Sequence, residues 1–282
     1  MTFWLNGAFR EDSAAIDIAD RGFLLGDGVF ETILLVDGVP TFLATHLERM
    51  RGGAAALGMR ADFDEAEIAG VLRALASRNG AAQGFASARL TLTRGAGSRG
   101  LAAAQGALSP TLLATAAVYA TPETPARLII SRHLRNERSV AARWKTLNYL
   151  DNVLARAEAA GAGADEAIML NAAGRVACAS SANIFVLQGG AVRTPPVAEG
   201  ALPGVVRGVL LSCAKAAGAD MREEPMEARD IEAGEVFLTN SLIGLRPAFF
   251  GGAAGDASEV LRRLQSCYGD AMRRDIERRA RR

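Results

Sequence analysis

Residues 143–159 read RWKTLNYLDNVLARAEA, a stretch that joins one lysine to a helical pattern. Apolar side chains recur at the spacing of one helix face, at Leu147, Leu150, Val153, Leu154 and Ala157. The pattern predicts a helix that opens at Lys145, where the helix dipole disfavours a cation. Such a position suits a lysine that reacts as an amine, although a solvated lysine in the first turn is the structural alternative.

The composition of the chain supports a reactive role for Lys145. The chain has 32 basic residues, of which only Lys145 and Lys215 are lysines. Arginine stays protonated and cannot form an imine with an aldehyde, whereas lysine can. Lys215 lies near the C-terminal end of a predicted helix, where a cation is favourable, so we interpret it as structural. Lys145 is therefore the candidate for covalent chemistry.

The remaining bulk properties exclude several classes of protein. The 282 residues carry a formal net charge of +1, which indicates no nucleic-acid-binding face. The chain has no apolar run long enough for a membrane span and no apolar N-terminal segment typical of a signal peptide. Its three cysteines are widely spaced and it has two histidines, so we expect no disulfide framework and no metal site. We expect a cytoplasmic protein.

Turn signals and periodicity organise the chain into strands and helices. Asn6-Gly7 and Asp37-Gly38 are typical of hairpin turns, and helices are predicted near 45–56, 64–80, 203–217 and the last 25 residues. A proline-containing stretch suggests a linker. We predict an α+β or α/β fold of largely antiparallel character with an N-terminal domain over 1–120, a linker over 121–126 and a C-terminal domain over 127–282.

Two further segments contain candidate anion-binding groups. Residues 202–208, LPGVVRG, predict a turn and a helix start whose Val205 and Val206 amides could bind a phosphate. An ordinary Pro-Gly turn is the alternative. The end of the predicted strand EVFLTN and the turn after it offer Thr239, Asn240 and Ser241 as hydroxyl and amide donors. Arg49 and Arg99 are candidates because arginine binds phosphate and carboxylate through two parallel hydrogen bonds.

The order of the motifs, rather than any one of them, points to a family. They are DRGFLLGDGVFETI at 20–33, HLERM at 46–50, TRGAGSRG at 93–100, KTLNYLDNVLARAEA at 145–159, DEAIMLNAAGRVACASSANIFVL at 165–187, LPGVVRG at 202–208 and EVFLTNSLIGLRP at 235–247. From about Phe3 to Pro247 the chain resembles the class IV aminotransferases, which are fold-type IV enzymes dependent on pyridoxal 5'-phosphate (PLP). The resemblance implies a two-domain fold like that of D-amino acid aminotransferase.

The resemblance also implies roles for named residues. Lys145 would hold PLP as a Schiff base and move the substrate proton. The implied cofactor-binding residues are Lys145, Arg49, Cys178, Val205, Val206, Asn240 and Ser241, with Arg49, the two valine amides, Ser241 and Asn240 at the phosphate. Phe30, Arg99 and Tyr149 would line the substrate side. The resemblance further implies a homodimer that acts on a small molecule, with PLP as the cofactor.

One position departs from the family pattern. The pattern V-x-E-x-S-x-x-N-I-F has a glutamate that contacts the pyridine nitrogen of PLP, and this chain has Cys178 there, between Val176 and Ser180. A thiol is a weak donor and does not offer the charge pairing of a carboxylate. We therefore expect a poorer electron sink and less efficient transamination.

The branch of the family is a further expectation. RGAGSRG at 94–100 and Asn240-Ser241-Leu242 resemble 4-amino-4-deoxychorismate lyases, as does Phe30 in place of a tyrosine of D-amino acid aminotransferases. Leu101 and Tyr149 depart from the lyase pattern. The alternatives are an aminotransferase for D-amino acids, branched-chain L-amino acids or amines, and a non-catalytic relative. We expect the lyase, which serves folate synthesis.

Overall fold

The computed structural model describes residues 1–102, 109–252 and 254–280. The chain forms two compact units. One consists of Met1–Thr121, Trp144–Asn148 and the residues from Asp275 onward, and the other of Pro122–Arg143 and Tyr149–Arg274. The first changeover lies beside the prolines that suggested a linker. The predicted ranges differ from these units at 144–148 and after 274, where distant parts of the sequence belong to the first unit.

The first unit is an antiparallel sheet with two helices packed on one face. Its elements are β1 (Thr2–Leu5), β2 (Ala8–Glu11), α1 (Arg21–Leu25), β3 (Gly28–Val36), β4 (Val39–Pro40), α2 (Leu43–Ala56), α3 (Glu65–Arg78), β5 (Phe85–Thr93) and β6 (Thr111–Val118). Over the described residues the sheet has the order β2-β1-β6-β5-β3-β4. Apolar side chains of β3, α2 and α3 form its core, including Ile33, Leu47 and Leu72.

Hairpin turns and helix caps in this unit follow the sequence signals. Asn6 and Gly7 have φ of 45° and 89°, and Asp37 and Gly38 have 49° and 76°, as a two-residue hairpin turn of type I′ requires. Asp64 caps α3 by accepting hydrogen bonds from the amides of Ala66 and Glu67. The predicted hairpins and the second helix are confirmed.

The prediction that Lys145 opens a helix is wrong. The helix α5 begins at Leu150 and ends at Gly161. Residues 144–148 instead lie along β3, where the Phe30 amide donates to the Lys145 carbonyl and the Leu147 amide donates to the Gly28 carbonyl, each at 2.9 Å. Backbone pairing with a distant strand overrides the helical pattern. The dipole argument for Lys145 therefore does not apply.

The second unit is built on a mixed sheet. Its elements are β7 (Ala126–Ile130), α4 (Val140–Arg143), α5 (Leu150–Gly161), β8 (Glu166–Leu170), β9 (Val176–Ala179), β10 (Asn183–Gln188), β11 (Ala191–Thr194), α6 (Val205–Cys213), β12 (Asp220–Glu223), α7 (Ala228–Glu232), β13 (Glu235–Asn240) and β14 (Gly244–Phe250). The final helix α8 (Glu259–Ala280) is divided between the units at Asp275. Over the described residues the strand order is β12-β11-β10-β13-β14-β7-β8-β9.

Strand directions agree with a mixed α and β class. In the second sheet β12 pairs with β11, β14 with β7 and β7 with β8 in parallel, whereas the other neighbours are antiparallel. Along the part of the chain that the structure describes, no helix is both long and apolar enough to span a membrane. The same residues contain no cluster of three or more His, Cys, Asp or Glu that could hold a metal ion.

Candidate active site

Lys145 is fixed by its backbone and lies over an aromatic ring. The two hydrogen bonds with β3 place its side chain on the face that Phe30 occupies, and its Nζ lies 4.1 Å from the centre of the Phe30 ring. Trp144 packs where α2 has two glycines, since a Cβ added at Gly52 would come within 2.7 Å of the indole. The Lys145 amine therefore has a defined place in the first unit.

Arg89 is a candidate that the sequence did not reveal. It lies on β5, next to β3, and its Cζ is 3.8 Å from the centre of the same Phe30 ring. Arg89 is exposed, so its guanidinium can meet an anion in solvent. Among thirty arginines only the strand register distinguishes it, because alternate residues of neighbouring strands share a face. Phe30 thus has two cations beside it, Lys145 and Arg89.

Arg49 belongs to a buried ionic cluster with Glu31 and His46. The Arg49 Nε and Nη2 atoms donate to the two oxygens of Glu31 at 2.7 and 2.6 Å. His46 Nδ1 lies 2.7 Å from Glu31 Oε2, and both Glu31 and His46 are fully buried. The glutamate comes from β3, whereas the other two residues lie on α2. This arrangement fixes the plane of the Arg49 guanidinium.

The cluster has a defined charge state near neutral pH. Burial acts to raise the pKa of Glu31, but the Arg49 charge and the hydrogen bonds from Arg49 and His46 outweigh it and lower the pKa to about 2. Burial lowers the pKa of His46, and the Arg49 and Lys145 charges act in the same direction against the attraction of Glu31. Glu31 is therefore ionised and His46 neutral.

Arg99 lies in an exposed loop of the first unit, away from this cluster in sequence. The loop is anchored by Arg21, whose Nη1 and Nη2 donate to the carbonyls of Gly100 and Leu101 at 3.0 and 2.9 Å. Arg21 and Arg94 both donate to Asp27, at 2.9 and 2.7 Å. The motif at 94–100 therefore serves in part as structure, with Arg94 holding the loop and Arg99 facing solvent.

In the second unit, the N-terminus of α6 forms a small cradle of polar groups. Within the described residues no side chain caps this helix at Gly204, so the first-turn amides of Val205 and Val206 remain donors for another group. A Cβ at Gly204 would come within 2.0 Å of Asn183 Oδ1, so only glycine permits this approach. Asn183 also donates from Nδ2 to the Leu202 carbonyl at 2.8 Å.

Thr239 adds a donor to the same neighbourhood. It pairs with Asn183 across β10 and β13 and is 1% exposed. Its Oγ1 is buried and has no hydrogen-bond partner among the described residues. A buried hydroxyl without a partner costs free energy, which a bound anion would recover. The sequence offers Thr239 as a donor beside Asn240 and Ser241, but the family resemblance assigns the cofactor-binding role only to the latter two.

Asn240, Ser241 and Tyr149 have different surroundings. Asn240 Oδ1 accepts from the amides of Leu242 and Ile243 at 2.9 and 3.0 Å, and its Nδ2 donates to the Ser181 carbonyl at 3.1 Å. These bonds give the Asn240 side chain a role in the turn after β13. Ser241 follows in that turn and is partly buried, and Tyr149 precedes the first residue of α5.

Cys178 lies buried in β9 of the second unit. Burial raises the pKa of the thiol, opposed by the Arg135 charge and reinforced by the Glu166 charge. Glu166 is itself buried on β8 and accepts hydrogen bonds from the hydroxyls of Ser180 and Ser181. Cys178 is therefore a neutral thiol, and the ionisable carboxyl group of this region belongs to Glu166.

Comparison with known proteins identifies the family. Residues 28–248 match the model described as amino-transferase class IV, and the chain belongs to this family. It is 31% identical to the D-alanine aminotransferase of Bacillus licheniformis over 88% of this chain and 87% of that one. It is 29% identical to the aminodeoxychorismate lyase of Bacillus subtilis, over 93% and 92% of the two chains.

Solved structures agree with this assignment and with the predicted fold class. The PLP-bound form of a hypothetical aminotransferase from Mycobacterium tuberculosis superposes with a TM-score of 0.82 at 20% identity, covering 98% of this chain and 100% of that one. This likeness shows a shared fold, and the class IV family depends on PLP. The chain is therefore a PLP-dependent enzyme of fold type IV, and the predicted family, fold class and cofactor are confirmed.

The residues present fit this cofactor. The unpartnered Thr239 hydroxyl and the uncapped amides of α6 are neutral donors suited to a phosphate group. Lys145 supplies the primary amine that an aldehyde cofactor requires. The lysine belongs to the first unit and the donors to the second, and each group is built from its own part of the sequence.

Proposed function

We propose that the chain is a lyase that converts 4-amino-4-deoxychorismate into 4-aminobenzoate and pyruvate. The observation that carries this proposal is the neutral, buried thiol of Cys178. It occupies the position at which the family pattern has a carboxylate for the pyridine nitrogen of the cofactor. A thiol with a raised pKa provides no negative charge there, so the chemistry should be one that needs little charge stabilisation.

The lyase reaction meets this requirement better than transamination does. When bound, PLP supplies an aldehyde that condenses with amines and a ring that accepts electrons. Removal of one proton from the substrate carbon that carries the amine, with loss of pyruvate, makes the substrate ring aromatic. Aromatisation supplies a driving force that amino-group exchange lacks. A weakly supported electron sink is therefore tolerable for the lyase and limiting for the transaminase.

Lys145 and a set of anion-binding groups would perform this reaction. Lys145 would hold the cofactor covalently and then remove the proton next to the substrate amine. Arg49, the amides of Val205 and Val206, and Ser241 would bind the phosphate. To this set we add Thr239, since its hydroxyl is buried and lacks a partner among the described residues.

Asn240 would act through the turn that it closes, because its amide group already bonds to Ser181, Leu242 and Ile243. Cys178 would lie at the cofactor ring as a neutral group.

The substrate side would be formed by Phe30, Arg99 and Tyr149, with Arg89 in addition. Arg89 lies over the same ring as Lys145 and is exposed, so it can bind a carboxylate next to the reacting amine. The proposed substrate has carboxylates, and a planar guanidinium binds such groups through two parallel hydrogen bonds. Phe30 is itself only 4% exposed, so it would act by ordering the two cations that lie over its ring.

The second candidate is an aminotransferase, favoured by the identity of 31% to a D-alanine aminotransferase. Arg89 beside Lys145 also suits the α-carboxylate of an amino acid. This candidate requires that Cys178 does not limit the reaction. Production of a 2-oxo acid from a D- or L-amino donor, at turnover above that of 4-aminobenzoate formation, would favour it.

We further propose that the chain acts as a homodimer. Exposed apolar side chains lie on α1 of the first unit, at Phe23, Leu24 and Leu25, where Phe23 is 76% exposed. Others lie on α5 of the second unit, at Leu150, Val153 and Leu154. Contiguous exposed apolar side chains indicate a protein interface, and a second copy is the partner that the family suggests. Sedimentation at micromolar concentration should show a dimer, and a monomer would contradict this proposal.

The deciding assay supplies 4-amino-4-deoxychorismate, generated in place from chorismate and glutamine by its synthase. We expect the purified enzyme to form 4-aminobenzoate and pyruvate in equal amounts, and Lys145→Ala to abolish both. A protein that shows the cofactor absorbance but forms no 4-aminobenzoate would contradict the lyase. A screen of D- and L-amino donors would then test the aminotransferase, and no turnover with any donor would indicate a non-catalytic relative.

A further inference from the structure

Glu31 and His46 lie behind Arg49 rather than at the reacting groups. Both side chains are fully buried. Glu31 accepts hydrogen bonds from Arg49 Nε, Arg49 Nη2 and His46 Nδ1, each no longer than 2.7 Å. A buried ion pair is weak evidence for stability, because desolvation of both charges offsets their attraction. The cluster therefore calls for a functional explanation.

The protonation states make Glu31 an acceptor on both oxygens. A carboxylate accepts and does not donate, so the neutral His46 must hold its proton on Nδ1 and donate it to Glu31 Oε2. The other lone pairs of the Glu31 oxygens accept the two parallel hydrogen bonds from Arg49. An arginine side chain has many rotamers, and such a fork selects one of them before any ligand arrives.

The same strand also positions Lys145. Phe30, the neighbour of Glu31 on β3, donates its amide to the Lys145 carbonyl at 2.9 Å. Successive side chains of a strand point to opposite faces, so Phe30 meets Lys145 on one face and Glu31 meets Arg49 and His46 on the other. Strand β3 therefore sets the relation between the reactive amine and the phosphate-binding arginine.

We infer that Glu31 and His46 are positioning residues that hold Arg49 in the orientation that binds the cofactor phosphate. This inference rests on the proposed role of Arg49. It predicts that changes at Glu31 act on the phosphate and not on the rest of the cofactor. Comparison of PLP with pyridoxal, which lacks the phosphate, isolates that effect.

The primary test measures the affinity of the full-length apoprotein for PLP and for pyridoxal. Glu31→Gln replaces one acceptor oxygen by an NH2 group. This group is a donor, so it faces a donor of Arg49 or His46 and one hydrogen bond is lost. We expect PLP affinity to fall by about tenfold or more and pyridoxal affinity by less than about threefold. A positioning role would also make Glu31→Gln and Arg49→Lys non-additive in PLP affinity.

Glu31→Asp separates position from charge. It keeps the carboxylate but shortens its reach by one methylene, so we expect PLP affinity to fall as it does in Glu31→Gln. If Glu31→Asp binds PLP like the wild type, or if Glu31→Gln binds PLP more tightly, Glu31 acts only as a counter-charge and the inference is wrong. His46→Gln should lower PLP affinity by a smaller factor. It provides the test of the inference if the Glu31 variants fold poorly.

Asp275→Asn is the matched control. Asp275 is 3% exposed and accepts from Arg279 and from the Phe42 amide, which precedes α2. A general loosening of α2 would lower PLP and pyridoxal affinity together in this variant. Equal losses of PLP and pyridoxal affinity in Glu31→Gln would overturn the inference. If Arg49→Lys itself fails to discriminate PLP from pyridoxal, the proposed role of Arg49 is wrong instead.

Discussion

In the first unit an anion would meet Arg49, a charged group whose orientation is fixed by the buried Glu31. In the second unit the candidate anion-binding groups are the amides of Val205 and Val206 and the hydroxyl of Thr239, which carry no net charge. The first arrangement depends on protonation states, because Glu31 must be ionised and His46 neutral. The second arrangement depends on close packing of the backbone, because the Gly204 backbone must lie against the Asn183 side chain.

This contrast shows how the two regions can fail. A change of charge should disturb the first region and leave the second intact, whereas an added methyl group should do the reverse. Neutral donors at a helix N-terminus bind a phosphate over a wide pH range. A buried ion pair adds directional control at the cost of sensitivity to acid.

The largest difference should separate the two lysines. Lys145→Ala should lower turnover by about 10³-fold or more, because proton transfer and covalent attachment are both lost. Lys215, the other lysine of the chain, is exposed in the second unit, and Lys215→Ala should retain full turnover. The measurement is product formation, together with mass spectrometry after borohydride reduction, which should label Lys145 alone. Label on Lys215 would contradict the assignment.

The second largest effect should be a loss of stability at low pH that comes from Glu31 and His46 in the first unit. The pKa of Glu31 is about 2 in the fold, below its ordinary value of 4.5, so Glu31 stabilises the fold above pH 4.5 and loses this contribution as pH falls towards 2. The lowered pKa of His46 acts in the same direction. The neutral His46 contributes fully to the stability of the fold above pH 6.5, its ordinary pKa, and this contribution declines as the pH falls below 6.5.

Urea unfolding of the apoprotein from pH 7 to pH 3 measures this dependence. The full Glu31 contribution corresponds to about 3 kcal/mol in the free energy of unfolding, of which about 2 kcal/mol should be lost by pH 3. Glu31→Gln should lack the decline below pH 4.5, and His46→Gln should lack the decline that begins near pH 6.5. Curves for the wild type and Glu31→Gln that stay parallel over this range would contradict the charge state assigned to the cluster.

A steric change should disturb the second unit. In Gly204→Ala the new Cβ would lie 2.0 Å from Asn183 Oδ1, so the start of α6 must shift. We expect PLP affinity to fall by about 30-fold, as several short donor contacts lengthen together. Gly208→Ala is the control, because nothing lies within 4 Å of its Cβ and alanine favours the helix. Equal PLP affinity in both variants would argue against the cradle.

The smallest effect should come from one hydroxyl. Thr239→Val removes a buried group that has no partner among the described residues, so the stability of the apoprotein should be maintained while PLP affinity falls by about tenfold. Thr194 is also buried, but its Oγ1 donates to the Ile184 carbonyl at 2.8 Å. Thr194→Val should therefore cost about 1 kcal/mol of stability and leave PLP affinity unchanged. The opposite pattern would exclude Thr239 from the site.

Local signals predicted much of the fold. The Asn6-Gly7 hairpin and the Asp64 cap follow from residue chemistry, and both are present. Composition and motif order predict Lys145 as the reactive lysine, and this role stays a prediction, whereas the helix predicted to open at Lys145 begins only at Leu150. The apolar spacing around Leu147 is helical, but its partner is β3, more than a hundred residues earlier. Long-range strand pairing leaves no local trace in such a segment.

The candidate site shows a similar division. Motifs identified Arg49, but not the Glu31 and His46 that orient it, since a pair between β3 and α2 requires the fold. Arg89 has the same sequence character as many other arginines, and only strand register places it beside Phe30. Thr239 became a stronger candidate than Asn240 once the hydrogen bonds of both side chains were known.

The proposed function depends on Cys178, whose neutral thiol should favour the lyase reaction over transamination. The most direct test compares wild type with Cys178→Glu by two turnover numbers, 4-aminobenzoate formation and 2-oxo acid formation from an amino donor. A carboxylate at this position should raise transaminase turnover by about tenfold or more and leave lyase turnover unchanged. An equal rise in both, or no rise in the transaminase reaction, would contradict the claim.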